Sequence, residues 1–464
     1  MSTSSNAGEN SEPAAEYAAP SVESPEGRKT IRRAIAASAI GNATEWYDYG
    51  VYAVAVTYIT ANFFTGGTVW ALATFAISFL VRPLGGLVWG PLGDRLGRKA
   101  VLALTIIMMA GSTTVIGLLP NVDTIGMWAP GLLIFLRMVQ GFSTGGEYGG
   151  AATFMAEYSP DKKRGFFGSF LEFGTLFGYA LGSAFVLVLS LIVGEDAMME
   201  WGWRIPFLLA APMGLIGVYL RSKMEDTPVF REMENAEQLE GSAMRDLKAL
   251  VLDYWRPLLT MGGLVIALNV TNYTLLTYMP TYLETQIDMS KDGSLILIII
   301  GEVCMMAIIP FSGRISDTVG RRPMWAVSLI GLIVAAIPMY MLMGTGFAGA
   351  LVGFGVLGIL YVIQLSTISA TFPAMFPTQV RYAGFAITYN VATALFGGTA
   401  PAVNEALIDS TGNLLVPAFY MMAACAVGLV ALKFVPETAG ASIRGTEIPT
   451  TEVTVINDSG SSTS

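Results

Sequence analysis

The chain has 464 residues, of which 53% are hydrophobic and only 13% charged, and its mean hydropathy is +0.58. Soluble globular proteins carry about 25% charged residues, so the composition speaks against a soluble enzyme. A membrane span takes about 20 apolar residues, and twelve such spans fit this length with little left over for soluble domains.

The net charge of −9 is unevenly spread. Residues 1–27 hold five Glu and no Lys or Arg, and residues 222–255 hold eight acids against four bases. The acid excess therefore sits in water-facing segments and says little about a substrate. No basic patch with interleaved aromatics is present, so nucleic acid is not an expected partner. The two cysteines, Cys304 and Cys425, both lie in apolar runs and read as small buried hydrophobes rather than a disulfide framework. There is no histidine. The commonest metal ligand and near-neutral proton carrier is thus missing, and any proton chemistry falls to carboxylates. No metal site or organic cofactor is expected.

In chain order, residues 1–27 lack the charged start and apolar core of a signal peptide and read as a disordered tail. Apolar runs then place spans near 33–62, 69–92, 99–119, 128–157, 164–192 and 203–221. After a polar linker they resume near 257–284, 293–315, 323–343, 346–375, 381–407 and 415–435. The expected organisation is a cytoplasmic tail over 1–29, a six-helix bundle over 30–222 and a cytoplasmic linker over 223–255. A second six-helix bundle covers 256–438, and a disordered cytoplasmic tail covers 439–464. Lys and Arg set the orientation. One side collects Arg28, Lys29, Arg95, Arg98, Lys99, Lys162, Lys163, Arg164, Arg314, Arg321, Arg322, Arg381, Lys433 and the bases of the linker. The other side holds Lys291, with Arg204 at a helix edge. Both termini are expected in the cytoplasm.

The chain repeats itself. Gly90-Pro-Leu-Gly-Asp94-Arg95-Leu-Gly97-Arg98-Lys99 recurs as Gly313-Arg-Ile-Ser-Asp317-Thr-Val-Gly320-Arg321-Arg322, and Pro160-Asp-Lys-Lys-Arg164 is echoed by Pro377-Thr-Gln-Val-Arg381. Two related halves point to a transporter that rocks about a shared midplane site. In the first loop Asp94 is placed to cap a neighbouring helix N-terminus, with Arg98 as its partner. Such a contact works as a latch, made in one conformation and released in another. Asp94, Arg95, Arg98, Asp317, Arg321 and Arg164 are the candidate gating residues.

These loops, with Arg137-Met-Val-Gln140-Gly141 in span four, resemble the signature motifs of the major facilitator superfamily. Three stretches resemble its metabolite:H⁺ symporter branch: Gly41 to Tyr52, Gly145-Gly-Glu147-Tyr148 running to Pro160, and Trp201-Gly-Trp-Arg204-Ile-Pro-Phe. Tyr254-Trp-Arg-Pro through Asn269-Val-Thr-Asn272-Tyr273 to Thr277-Tyr-Met-Pro280 is similar, within that branch, to the osmoprotectant proline/betaine symporters. The resemblance covers roughly residues 30–438. It implies an all-α membrane protein with twelve transmembrane helices in two pseudo-symmetric six-helix bundles, and proton-coupled import of a small zwitterionic osmolyte across the cell membrane by a monomer. The alternatives are an organic-acid symporter for a substrate such as a ketodicarboxylate, and a non-transporting osmosensor. Two departures matter. Residues 439–464 are rich in Ser and Thr and lack the heptads of the C-terminal coiled coil found in some osmosensing relatives. Span five carries Gly174, Gly178 and Gly182 in place of the Gly-Pro element of drug antiporters; this spacing favours close helix approach.

Ionisable groups inside a span cost about 2.5–3.5 kcal/mol on insertion scales and usually have a role. Glu45, Asp48, Tyr49 and Tyr52 follow i, i+3, i+4, i+7 and share one face of span one. Arg137, Gln140, Gly141, Thr144, Glu147 and Tyr148 do the same in span four, and Arg82 lies mid-span two. Asp48, Glu45 and Glu147 are the candidate proton carriers; protonation would free an arginine for a substrate carboxylate. Arg137 or Arg82 is the candidate anion anchor. Trp46, Tyr49, Tyr148 and Tyr273 offer aromatic faces for an ammonium, and Asn269, Asn272, Gln364 and Asn390 offer polar contacts from the second half. Glu172 and Glu302 are further carboxylates inside spans, and Glu302 matches no pattern of the family.

Overall fold

The computed structural model describes residues 25–65, 67–96, 98–145, 147–222, 252–377 and 380–443. Twelve helical rods follow one another in the described residues. α1 comprises Pro25–Val54 and Val56–Phe63, α2 is Thr68–Leu96, α3 is Arg98–Leu118, and α4 joins Trp128–Thr144 to Glu147–Tyr158. α5 is Arg164–Val193, and α6 joins Arg204–Leu208 to Ala210–Ser222. In the second half α7 runs through Trp255–Asn272, a wide π turn at Tyr273–Tyr278, and Met279–Thr285. α8 is Lys291–Val319, α9 is Arg321–Met343, and α10 joins Phe347–Leu365 to Ile368–Thr371. α11 runs through Arg381–Ala392, a π turn at Thr393–Gly397, and Ala400–Thr411, and α12 is Val416–Leu432.

Six of the described helices are long and apolar enough to cross a bilayer by themselves, and the bent pair around α6 makes a seventh. α3 and α12 contribute shorter apolar stretches. α1, α4 and α11 fall outside both groups for a physical reason: each is broken or carries polar side chains toward the protein interior. The breaks themselves follow a pattern. α1 is interrupted at Ala55, α4 after Thr144, α7 by its π turn and α10 after Leu365. These four rods hold the first and fourth positions of each six-helix half; α6 is also interrupted, at Leu209, and α11 by its π turn. Irregular backbone inside a membrane is tolerated where it is buried in protein, so the broken rods mark the interior.

The glycines of α5 act as the sequence predicts, and their partner is α1. A methyl group on Gly174 would lie 2.3 Å from the Ala39 carbonyl oxygen, and one on Gly178 would lie 2.5 Å from that of Ala43. The two backbones therefore touch with nothing between them. α5 also packs along α8, so it joins the halves.

The halves meet at both ends and in the middle. On the face carrying the basic loops, Asp317 accepts hydrogen bonds from the amides of Gly165 and Phe166 at 2.7 and 2.9 Å. At the opposite end Lys291 donates to Thr57 at 2.7 Å and lies 3.2 Å from the centre of the Tyr58 ring. Between them Tyr179 and Thr277 share a 2.9 Å hydrogen bond, and Asn390 donates to the Gly145 carbonyl at 2.6 Å. The chain is ordered slightly beyond the bundle limits read from the sequence. α1 already begins at Pro25, and Ile443 is buried against Ala156 and Ala374. The expectations for residues 1–24, 223–251 and 444–464 lie outside the described residues.

Candidate functional site

Two ion pairs stand side by side in the first half. Arg82 Nη2 donates to Glu45 Oε1 at 3.2 Å, and Arg137 Nη1 donates to Asp48 Oδ2 at 3.3 Å. All four side chains are almost wholly buried. Helical spacing explains their meeting: Glu45 and Asp48 lie one turn apart on α1, facing α2 and α4. Asp48 Oδ1 also accepts from Thr113 at 2.8 Å and from Gln140 Nε2 at 3.1 Å. Arg137 donates in turn to Gln140 Oε1 at 2.7 Å. Its guanidinium lies 4.2 Å from the Tyr52 ring centre and 5.2 Å from that of Phe75. The Asp48–Arg137 pair is thus held by α1, α3 and α4 together, in the water-excluded setting where a charge needs its partner most.

Glu172 of α5 anchors a third polar cluster. Tyr148 donates to it through a short hydrogen bond, and Thr175 donates to its other oxygen at 3.0 Å. The Tyr148 ring stacks on Tyr389 of α11, centroids 4.5 Å apart. Tyr148 therefore works as a contact between halves, with its hydroxyl already engaged.

Aromatic rings from both halves gather beside the ion pairs. Trp46 lies 5.3 Å from Tyr49, 5.5 Å from Tyr179 and 6.3 Å from Tyr273. Phe79 bridges Tyr49 and Tyr273, with both centroid distances 5.1 Å. Asn42 orients Trp46 by accepting from its indole N–H at 3.0 Å. Such faces suit an ammonium group.

The amides of the second half are less available than the sequence reading holds. Asn269 donates to Thr393 at 2.7 Å, Asn272 accepts from Tyr361 at 2.6 Å, and Asn390 is spent on Gly145. In a low-dielectric bundle an amide takes whatever polar group the next helix offers. Gln364 differs: it is fully buried and neither amide atom has a partner.

Asp317 caps the N-terminus of α5 and accepts from Arg321 at 2.7 Å. Glu437 accepts from the backbone N–H groups of Arg321 and Arg322 at the start of α9, at 2.8 and 3.0 Å. Arg164 donates to Asp161 and to the Ala441 carbonyl, and Arg381 pairs with Glu157 at 3.3 Å. The side chains of Asp94, Arg95, Arg98 and Glu147 lie outside the described residues. Sequence reasoning left Thr113, Gln140, Tyr179 and Glu437 without roles. Gln140 had a signal, since it shares a helical face with Arg137; the others depend on packing between helices distant in sequence.

The sequence profile of the Major Facilitator Superfamily matches residues 38–401. The chain is 45% identical over 428 residues to the proline/betaine transporter of Escherichia coli strain K12, covering 89% of this chain and 85% of that protein. It is 42% identical over 441 residues to the ectoine/proline transporter ProP of Corynebacterium glutamicum, covering 91% and 87%. In fold it is similar to the xylose transporter XylE of E. coli in a partially occluded inward-open conformation. The TM-score is 0.70 at 18% identity, covering 89% of this chain and all of that one. Twelve rods in two halves, paired charges buried at their centre and a profile match across most of the length lead to one conclusion: the chain belongs to the major facilitator superfamily and is a multi-pass membrane transporter, not an enzyme.

Proposed function

We propose that the protein imports a small zwitterionic osmolyte, proline or glycine betaine, together with protons, by alternating access of its two halves. The observation that carries this reading is the buried Asp48–Arg137 pair beside an aromatic cluster drawn from both halves. A proton taken up by Asp48 discharges its bond to Arg137. The guanidinium then needs another anion, and the carboxylate of the substrate supplies it. Arg82, paired with Glu45, offers a second anchor of the same kind. The Trp46, Tyr49 and Tyr273 faces receive the cationic nitrogen. The names of the relatives, which include proline, betaine and ectoine, support the same substrate class.

A dianionic organic acid fits less well. Each buried arginine already faces a carboxylate, and Glu172 adds a third acid nearby. A proton on Asp48 frees one guanidinium, so a second substrate carboxylate would need Glu45 protonated as well. We place both termini in the cytoplasm, from the charge asymmetry of the loops, and take the monomer as the working unit in the cell membrane. Glu157–Arg381, Asp317 and the basic loops then form the cytoplasmic closure, and Thr57, Tyr58 and Lys291 the outer one. The test is competition for uptake into reconstituted vesicles at two pH values, with proline, betaine, ectoine and ketoglutarate as competitors. Inhibition by the three zwitterions and not by ketoglutarate is expected; the reverse pattern refutes the reading.

A further inference from the structure

We infer that Glu302 of α8 is the counter-charge for the cationic nitrogen of the transported zwitterion, which thereby spans the two halves. This deepens the functional reading above and rests on it. Glu302 is fully buried, and neither carboxylate oxygen has a hydrogen-bond partner. The acids buried in the first half are different. Glu45 and Asp48 face arginines, and Glu172 takes hydrogen bonds from Tyr148 and Thr175. A carboxylate withdrawn from water without a partner costs several kcal/mol when charged, so the charged form of Glu302 needs a compensating group. Nothing on its own helix supplies one: the buried positions one turn away are Ile298 and Met305, and Ile309 follows.

The surroundings define the missing partner. α8 runs antiparallel to α5, with Asp292 bonded to Ser190 at one end and Asp317 to Gly165 at the other, and this register sets Glu302 at the level of Tyr179. That ring is part of the aromatic cluster, 5.5 Å from Trp46, and its hydroxyl is bound to Thr277 of α7. The buried polar groups of the second half without a partner include the Tyr273 hydroxyl on α7 and the Gln364 amide on α10. Gln364 sits one turn beyond Tyr361, whose hydroxyl is held by Asn272 of α7. In the first half, Arg82 Nε and Arg137 Nε are buried donors without acceptors. The first half thus holds a guanidinium that a proton on Asp48 would free, and the second half holds a carboxylate without a partner. A zwitterion matches that polarity, with its carboxylate toward the arginines and its nitrogen toward Glu302. A quaternary ammonium has no N–H to donate, so it is held by charge and aromatic faces, the two things this side offers. A ligand that contacts both halves stabilises the state in which they meet, which is what a carrier cycle requires.

The experiment measures equilibrium binding of glycine betaine, and of its isostere with carbon in place of the quaternary nitrogen, to the purified full-length protein. The wild type is expected to prefer betaine by about tenfold or more. Glu302→Gln is expected to erase most of that preference by weakening betaine alone, leaving binding of the isostere unchanged and the thermal midpoint no lower than that of the wild type. The same preference in Glu302→Gln as in the wild type overturns the inference, as does unchanged betaine binding accompanied by lost proton-driven uptake, which would make Glu302 a proton carrier. Should Glu302→Gln fail to fold, the wild type still decides: equal binding of betaine and its isostere overturns the role of a counter-charge. Failure of the wild type to bind or exchange any zwitterion refutes the functional reading itself, and so is a separate outcome.

Discussion

Replacing Asp48 by Asn takes one charge from the centre of the first half while barely changing its shape. Thr113 and Gln140 both donate to Asp48 Oδ1, and an amide oxygen in that position keeps both bonds. The other oxygen, which accepts from Arg137 at 3.3 Å, becomes an NH₂ group facing a buried guanidinium. Breaking a buried ion pair from one side costs about 3–5 kcal/mol, because the remaining charge is left uncompensated. Gln140 Oε1 still accepts from Arg137, so the loss should fall at the lower end of that range. The functional effect is larger than the structural one. A side chain that cannot change protonation state leaves substrate movement uncoupled from protons. In proteoliposomes with an imposed pH gradient, Asp48→Asn should fail to accumulate substrate above equilibrium while still exchanging labelled for unlabelled substrate. The double variant Asp48→Asn/Arg137→Gln should melt higher than the sum of the single losses implies, since it leaves no unpaired charge. Normal proton-driven accumulation in Asp48→Asn would remove this residue from the mechanism.

Other consequences of the structure are as direct. Gly178→Ala places a methyl 2.5 Å from the Ala43 carbonyl oxygen and 2.9 Å from the Tyr47 nitrogen, so it should destabilise by about 1–3 kcal/mol. Gly111→Ala meets nothing within 4 Å and should melt no lower than the wild type; equal effects of the two changes would contradict the packing of α1 on α5. Asp317→Asn weakens the cap on α5 by about 1 kcal/mol, so the basic face should open about fivefold more often. A cysteine in place of the buried Ser369, in a background lacking Cys304 and Cys425, should then react faster with maleimide, and an unchanged rate would deny Asp317 a latch role. Trp46→Leu removes a face of the aromatic cluster and should weaken betaine binding by about 0.5–2 kcal/mol; binding that stays the same would place the nitrogen elsewhere.

Much of this arrangement is written in sequence periodicity. The apolar runs give the rods, and the helical spacing of Glu45, Asp48, Tyr49 and Tyr52 gives a face that the structure buries completely. The loop repeat predicts a cap by its aspartate, and Asp317 makes one on α5. What periodicity does not carry is which groups meet across helices. The pairing of Arg82 with Glu45, and of Arg137 with Asp48, depends on helix rotation and depth. Asn269, Asn272 and Asn390 read equally well as ligands or as bonds between helices, and only packing separates the two. The π turns at Tyr273–Tyr278 and Thr393–Gly397 differ from an α-helix only in their i→i+5 hydrogen bonds, which apolar periodicity does not reveal. Glu302 is visible as a charge in an apolar run, yet the lack of a hydrogen-bond partner for either oxygen appears only in the structure.

The central claim is that a proton gradient drives the entry of a zwitterion through this bundle. The most direct measurement is uptake of labelled glycine betaine into proteoliposomes containing the purified protein, with an inwardly directed proton gradient imposed at time zero. The account predicts transient accumulation above the external concentration, collapse of that accumulation by a protonophore, and competition by proline. Uptake that only reaches equilibrium, or accumulation indifferent to the protonophore, would contradict it.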